Sequence, residues 1–198
     1  MNRILVIILF QTLIFPTMKA QNKSTPLLPY EEITELPEQY TAGTVAARMV
    51  DGLGFRYYWG TDGLREEDMK FRPTDESRTI FETMVHIYQL CGTIQKSLRI
   101  EKNDRSDPSS LSYKDLRQVT LIDIKEISEI LMASDDETFK QYSLVIGSGE
   151  SKTILPFWNQ INGPIADALW HVGQIVTIRR MSGNPFTNDV NLFQGKKR

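Results

Sequence analysis

Between Ser77 and Leu98 the apolar residues Ile80, Phe81, Met84, Val85, Ile87, Tyr88, Leu90, Cys91, Ile94 and Leu98 recur at helical spacing. They fill an arc wider than a helix needs to cover one face of a core. A helix apolar over that much of its circumference requires neighbours on several sides, so this segment is expected at the centre of a helical domain.

Three further segments supply those neighbours. Thr44 to about Leu64 carries Val45, Met49, Leu53, Tyr57 and Leu64 at helical steps, weakened by Gly52, Gly54 and Gly60. Pro73 separates it from the central helix, for which Asp75 or Ser77 is the expected N-cap. A third helix is expected from about Ser112 to Ala133, with Leu116, Val119, Ile122, Ile127, Ile130 and Leu131 facing inward. The last runs from Phe157 or Asn159 to Met181 and stops at Gly183 and Pro185. Its inner stripe is Ile161, Ile165, Ala168, Val172, Ile175 and Val176, while Gly163, Ala166 and Gly173 keep another side small enough for a neighbouring helix to approach.

The segment "EKNDRSDPSS" reads as a polar loop. Phe139, Tyr142, Leu144 and Ile146 alternate ahead of a Gly-Ser-Gly turn and "KTIL", which predicts a short hairpin or extended connection. The fold class is therefore all-α: a four-helix bundle with a long connection before the last helix.

Residues 1–20, "MNRILVIILFQTLIFPTMKA", read as a secretory signal, with Arg3 ahead of an apolar run and Ala20 at the cut. An uncleaved anchor is the competing reading. Cleavage would place the protein in a periplasm or outside the cell, with no stable membrane span left. The expected organisation is then a signal at 1–20, an extended leader at 21–40, the bundle at 41–187 and a polar tail at 188–198. The remaining chain of about 178 residues suffices for one full core. Losing Arg3 and Lys19 takes the basic count from 23 to 21 against 25 acids, a net charge of −4. With that balance and no basic cluster, nucleic acid is not an expected partner. Cys91 is the single cysteine, so no intramolecular disulfide forms; its apolar neighbours predict a buried thiol.

The chain has two histidines. His171 lies four residues after Asp167 on the last helix, so both side chains point the same way about one turn apart. His86 sits at the edge of the central helix's apolar arc, beside Thr83 and Leu90. If the two helices are neighbours, two imidazoles and a carboxylate converge, a donor set that suits a divalent transition metal with an open position. The same spacing also fits an ordinary hydrogen bond within one helix, with Asp167 merely orienting His171.

The segment "FRPTDESRTIFETMVHIYQL", followed much later by "HVGQIVTIRRMSGNP", resembles the DinB-like superfamily over about Tyr40 to Pro185. The shared features are a histidine in the second helix and a histidine-x-Gly-Gln segment in the last, running into arginines and a Gly-Asn-Pro stop. The resemblance implies a four-helix bundle that holds a divalent metal, with ligands matching His86 and His171. Where that family carries the first histidine of a histidine-x3-histidine pair, this chain has Asp167. A carboxylate is an acceptable ligand for zinc, nickel or manganese. The resemblance also implies a homodimer and metal-dependent chemistry on a small-molecule substrate. Hydrolysis suits an exported protein better than thiol transfer, and a non-catalytic module that binds a ligand or partner is the alternative.

Other residues carry weaker signals. Gln174 is expected either as a donor behind His171 or simply on a polar helix face, Arg179 and Arg180 to favour the helix dipole, and Glu66-Glu67-Asp68 to form a solvated turn. The tryptophans Trp59, Trp158 and Trp170 are expected mostly in the core.

Overall fold

The computed structural model describes residues 27–33, 36–100 and 105–198. The apolar run at residues 1–20 and its cleavage boundary lie outside the described residues. In chain order the helices are α1 (Ala42–Thr61), α2 (Glu66–Lys70), α3 (Ile80–Ser97), α4 (Tyr113–Met132), α5 (Asp136–Phe139), α6 (Trp158–Gln160) and α7 (Ala166–Met181). No helix among the described residues is long and apolar enough to cross a membrane.

The four long helices form the mainly helical core. Helices α1 and α3 each pack against both α4 and α7. Ser128 reaches Asp51 and Arg117 reaches Thr61, so α1 and α4 run in opposite directions. The carbonyls at the end of α1 meet Arg179 near the end of α7, so those two run the same way. Among the described residues, only α3 and α4 are consecutive long helices that end and begin at opposite ends of the bundle. After α3 the chain turns back, Arg105 donates to the Tyr88 carbonyl at 2.7 Å and lies 3.9 Å over its ring, and α4 begins beside the end of α1.

Caps and small residues decide where these helices begin and how closely they meet. The N-cap of α3 is Thr79, not Asp75 or Ser77, because Glu82 sits three residues on and closes a reciprocal capping box. The buried face of α1 is built on Gly43, Ala46, Ala47, Val50, Leu53 and Tyr57, whereas Val45 is exposed. A Cβ on Gly43 would stand 2.4 Å from the Leu131 carbonyl oxygen. Close backbone approach to α4 therefore selects small residues, which a search for large apolar stripes overlooks. On α4 the buried apolar residues are Leu116, Leu121, Ile124, Ile127 and Leu131, and Ile122 faces outward.

The long connection before the last helix contains the expected hairpin. Strands β1 (Ser143–Ile146) and β2 (Thr153–Pro156) pair antiparallel, with Ser143 opposite Pro156 and Ile146 opposite Thr153. The last helix does not run unbroken from Phe157 or Asn159. A π-helical turn at Ile161–Ile165 contains Gly163 at φ −98° and ψ −109° and is followed by regular helix only from Ala166. Pro164 supplies no N–H and disfavours helical geometry at Gly163, so the break is local in origin. A Cβ at Gly163 or Gly173 would meet nothing within 4 Å, so among the described residues no helix packs on that small side.

Residues 27–33 and 190–198 both lie against α1. Tyr30 is buried and its hydroxyl donates to Asp51 at 3.1 Å. Ile33 takes a backbone bond from its N–H to Gly195. The segment expected to trail as a polar tail forms β3 (Val190–Asn191) against β4 (Lys196–Lys197). Val190 joins Ile33, Phe55 and Trp59 in a small apolar cluster on the outer side of α1. That cluster gives the C-terminal segment an anchor its own polar composition does not reveal.

Candidate metal centre

The packing of α3 against α7 brings His86, Asp167 and His171 together. One donor atom from each lies within 4.8 Å of the others, and among the described residues no second such cluster of His, Cys, Asp or Glu occurs. His86 Nε2 is 3.4 Å from Asp167 Oδ2, and His171 Nε2 is 3.3 Å from Asp167 Oδ1. The imidazoles stand edge to face, their centroids 4.7 Å apart at 83°. The His171 side chain is 9% exposed, His86 28% and Asp167 40%, so the cluster has a buried inner wall and an open outer side.

The remaining nitrogen of His171 is occupied. Its Nδ1 lies 2.7 Å from Gln174 Oε1, one turn further along α7. An amide oxygen accepts, so in this arrangement Nδ1 carries the proton and Nε2 presents a lone pair. That lone pair faces a carboxylate oxygen, also an acceptor. Two acceptors directed at each other repel unless a proton or a metal cation stands between them. The spacing discriminates further. A charge-assisted N–H···O bond closes to about 2.7–2.9 Å. Donors about 2.0–2.1 Å from one tetrahedral ion lie roughly 3.3–3.4 Å apart, and each imidazole stands at that distance from its own oxygen of the Asp167 carboxylate. The residues fit a divalent ion: two imidazole nitrogens, one carboxylate, and an outward side left open.

Gln174 thus contacts His171, but through its amide oxygen as an acceptor rather than as the donor expected from the sequence. Other signals resolve differently. Arg179 does not simply lie at a helix end; it is buried, donating to the Trp59 and Gly60 carbonyls and to Asn184. It satisfies the last carbonyls of α1, which have no partner within their own helix. Asp68 is not solvated either. It is fully buried and accepts from Arg65, Ser182 and Asn184. Burial alone would raise its pKa, but those donors outweigh burial and hold the carboxyl well below the usual range. Trp59 is buried, whereas Trp158 and Trp170 are largely exposed. Cys91 is fully buried, as expected.

Two hollows flank the bundle. An apolar cavity of about 730 Å³ lies beside the start of α1, lined by Tyr40, Met49, Phe139, Phe157 and Trp158 among others, and none of the three donor residues borders it. A groove of about 950 Å³ runs between the start of α3 and α7, lined by Thr83, Trp170 and Gln174 among others; none of the three donors borders it, and Gln174, bonded to His171, is its link to them.

The fold and cluster define a helical bundle with a donor set competent for a metal. Comparison with known proteins finds no matching family model, no matching curated protein and no matching solved structure.

Proposed function

We propose that this chain is an exported, DinB-like metal-binding bundle and that His86, Asp167 and His171 hold one divalent transition metal ion, zinc, nickel or manganese. The observation that carries this reading is the opposition of the His171 Nε2 lone pair and the Asp167 carboxylate at 3.3 Å, with Nδ1 already engaged by Gln174. Bound there, such an ion would act as a Lewis acid and lower the pKa of a coordinated water, the chemistry of amide-bond hydrolysis. The chain's own residues set the terms. Gln174 holds the His171 ring with Nε2 forward, Asp167 lowers the net charge of the centre, and His86 braces it from α3. Asp167 and His86 leave the centre an outer side open to solvent, which supports a catalytic reading over a purely structural brace.

The deciding experiment is elemental analysis of purified protein after metal loading, for the parent chain and for His86→Ala, His171→Ala and Asp167→Asn variants shown to be folded by circular dichroism. One equivalent in the parent, lost in both histidine variants and weakened in Asp167→Asn, is the expected result. A parent chain that retains no metal, or variants that all retain as much as the parent, would overturn the assignment and leave His171 as a polar residue oriented by Asp167.

A further inference from the structure

The groove beside the donors has a length, an aromatic wall and a cation that the metal centre does not use. Its α7 side runs from Leu169 and Trp170 through Gly173, Gln174 and Thr177 to Met181, and its α3 side includes Ser77, Arg78 and Thr83. The eleven steps from Trp170 to Met181 span about 16 Å at helical rise. An extended chain covers that distance in about four to five residues. Trp170 is 71% exposed although its neighbour His171 is buried, so its ring stands free beside the donors. Gly173 contributes no side chain, and a Cβ there would meet nothing within 4 Å, which keeps the middle of the groove open. Gln174 spends its carbonyl oxygen on His171, which leaves its amide nitrogen to donate. At the far end Arg78 is exposed and, among the described residues, makes no ion pair or hydrogen bond, not even with Glu76 on the same rim.

We infer that this groove is the substrate cleft of the same centre, and that it takes an extended amide-linked chain ending in a carboxylate. This inference rests on the metal reading above. In this arrangement the terminal carboxylate pairs with Arg78, an apolar or aromatic side chain lies on Trp170, and a backbone carbonyl accepts from the Gln174 amide. The bond presented to the donors is then an internal amide a few residues from the terminus. A guanidinium binds a carboxylate by two parallel hydrogen bonds, which fixes the direction of the chain as well as its end.

The test uses succinyl-Phe-Ala carrying a hydroxamate on the succinyl end, its carboxyl-terminal amide, the same peptide without the hydroxamate, and acetohydroxamate alone. Binding is followed by calorimetry and by the Trp170 indole N–H resonance, assigned with Trp170→Phe. The free-acid hydroxamate peptide is expected to shift that resonance and to bind the metal-loaded protein about tenfold more tightly than its amide. Arg78→Ala should erase the difference without changing metal content. Acetohydroxamate that binds metal-loaded protein while the peptide portion adds no affinity and leaves the indole unmoved would overturn the groove and spare the centre. A protein that takes up no metal, yet whose indole shifts with the peptide lacking hydroxamate in an Arg78-dependent way, would support the groove and overturn the centre.

Discussion

His171 Nδ1 and Gln174 Oε1 lie 2.7 Å apart on consecutive turns of α7, and this one contact decides which ring nitrogen of His171 faces Asp167. Removing the acceptor frees the ring to rotate and to exchange tautomers. Gln174→Leu is expected to weaken metal binding by about 10–100-fold, the usual effect of losing the partner behind a ligating histidine. Gln174→Glu keeps the acceptor and should retain near-parental affinity. Competition against a chromophoric chelator reads both, and equal affinity in the Leu variant and the parent would sink this role for Gln174.

Because the donors come from α3 and α7, an ion held between them ties two helices that are otherwise joined by packing alone. Binding to the folded state only, at free metal about 100-fold above Kd, stabilises it by about 2.7 kcal/mol. For a chain of this size that corresponds to a rise in Tm of roughly 5–10 °C. The rise should vanish with chelator and be absent in His171→Ala. A thermal scan that shows no metal-dependent shift in the parent would count against a site spanning the two helices.

Asp68 offers a stability test unrelated to the metal. Its carboxyl is held below the usual range, burial being outweighed by hydrogen bonds from Arg65, Ser182 and Asn184. A depressed folded-state pKa stabilises the fold above the unfolded value and loses that contribution as pH falls toward the folded one. Asp68→Asn is therefore expected to be destabilised by about 2–3 kcal/mol at neutral pH. The gap from the parent should be constant above about pH 5 and narrow below about pH 4. Urea unfolding at pH 7, 5 and 3.5 measures it, and a gap that widens in acid would contradict the assignment.

The features legible in the sequence are those whose cause is local. The arc on α3 and the spacing of Asp167 and His171 are set within a few turns of helix, and so are read directly from residue order. The pairing of His86 with that helix is not local. It depends on α7 packing beside α3, for which periodicity gives no partner. Asp68 and Arg179 show the same limit more sharply. Their partners, Ser182 with Asn184 and Trp59 with Gly60, lie more than a hundred positions away. A charged residue that will be buried by such a contact looks in sequence like any solvated one. Gly43 is invisible to periodicity because close backbone approach leaves no apolar signature, and composition does not separate the buried Trp59 from Trp170, which lines a groove.

The leader's hold on α1 gives the last prediction. A Cβ at Gly54 would stand 2.5 Å from two atoms of the Tyr30 ring, too close for any real contact, and the ring belongs to the buried core. Gly54→Ala must therefore displace Tyr30 and with it the hydroxyl bond to Asp51, leaving that buried carboxylate to Ser128. Burial and the neighbouring Asp51 charge push the Tyr30 phenol well above its ordinary range, so it remains a donor wherever the fold persists. The expected cost is about 1–3 kcal/mol, as for other overpacking changes, accompanied by faster proteolysis within residues 27–40. Tyr30→Phe keeps the ring in place and should cost only about 1 kcal/mol with the leader still protected. Equal protease resistance in Gly54→Ala and the parent would show that the leader is not held by the Tyr30 ring on Gly54.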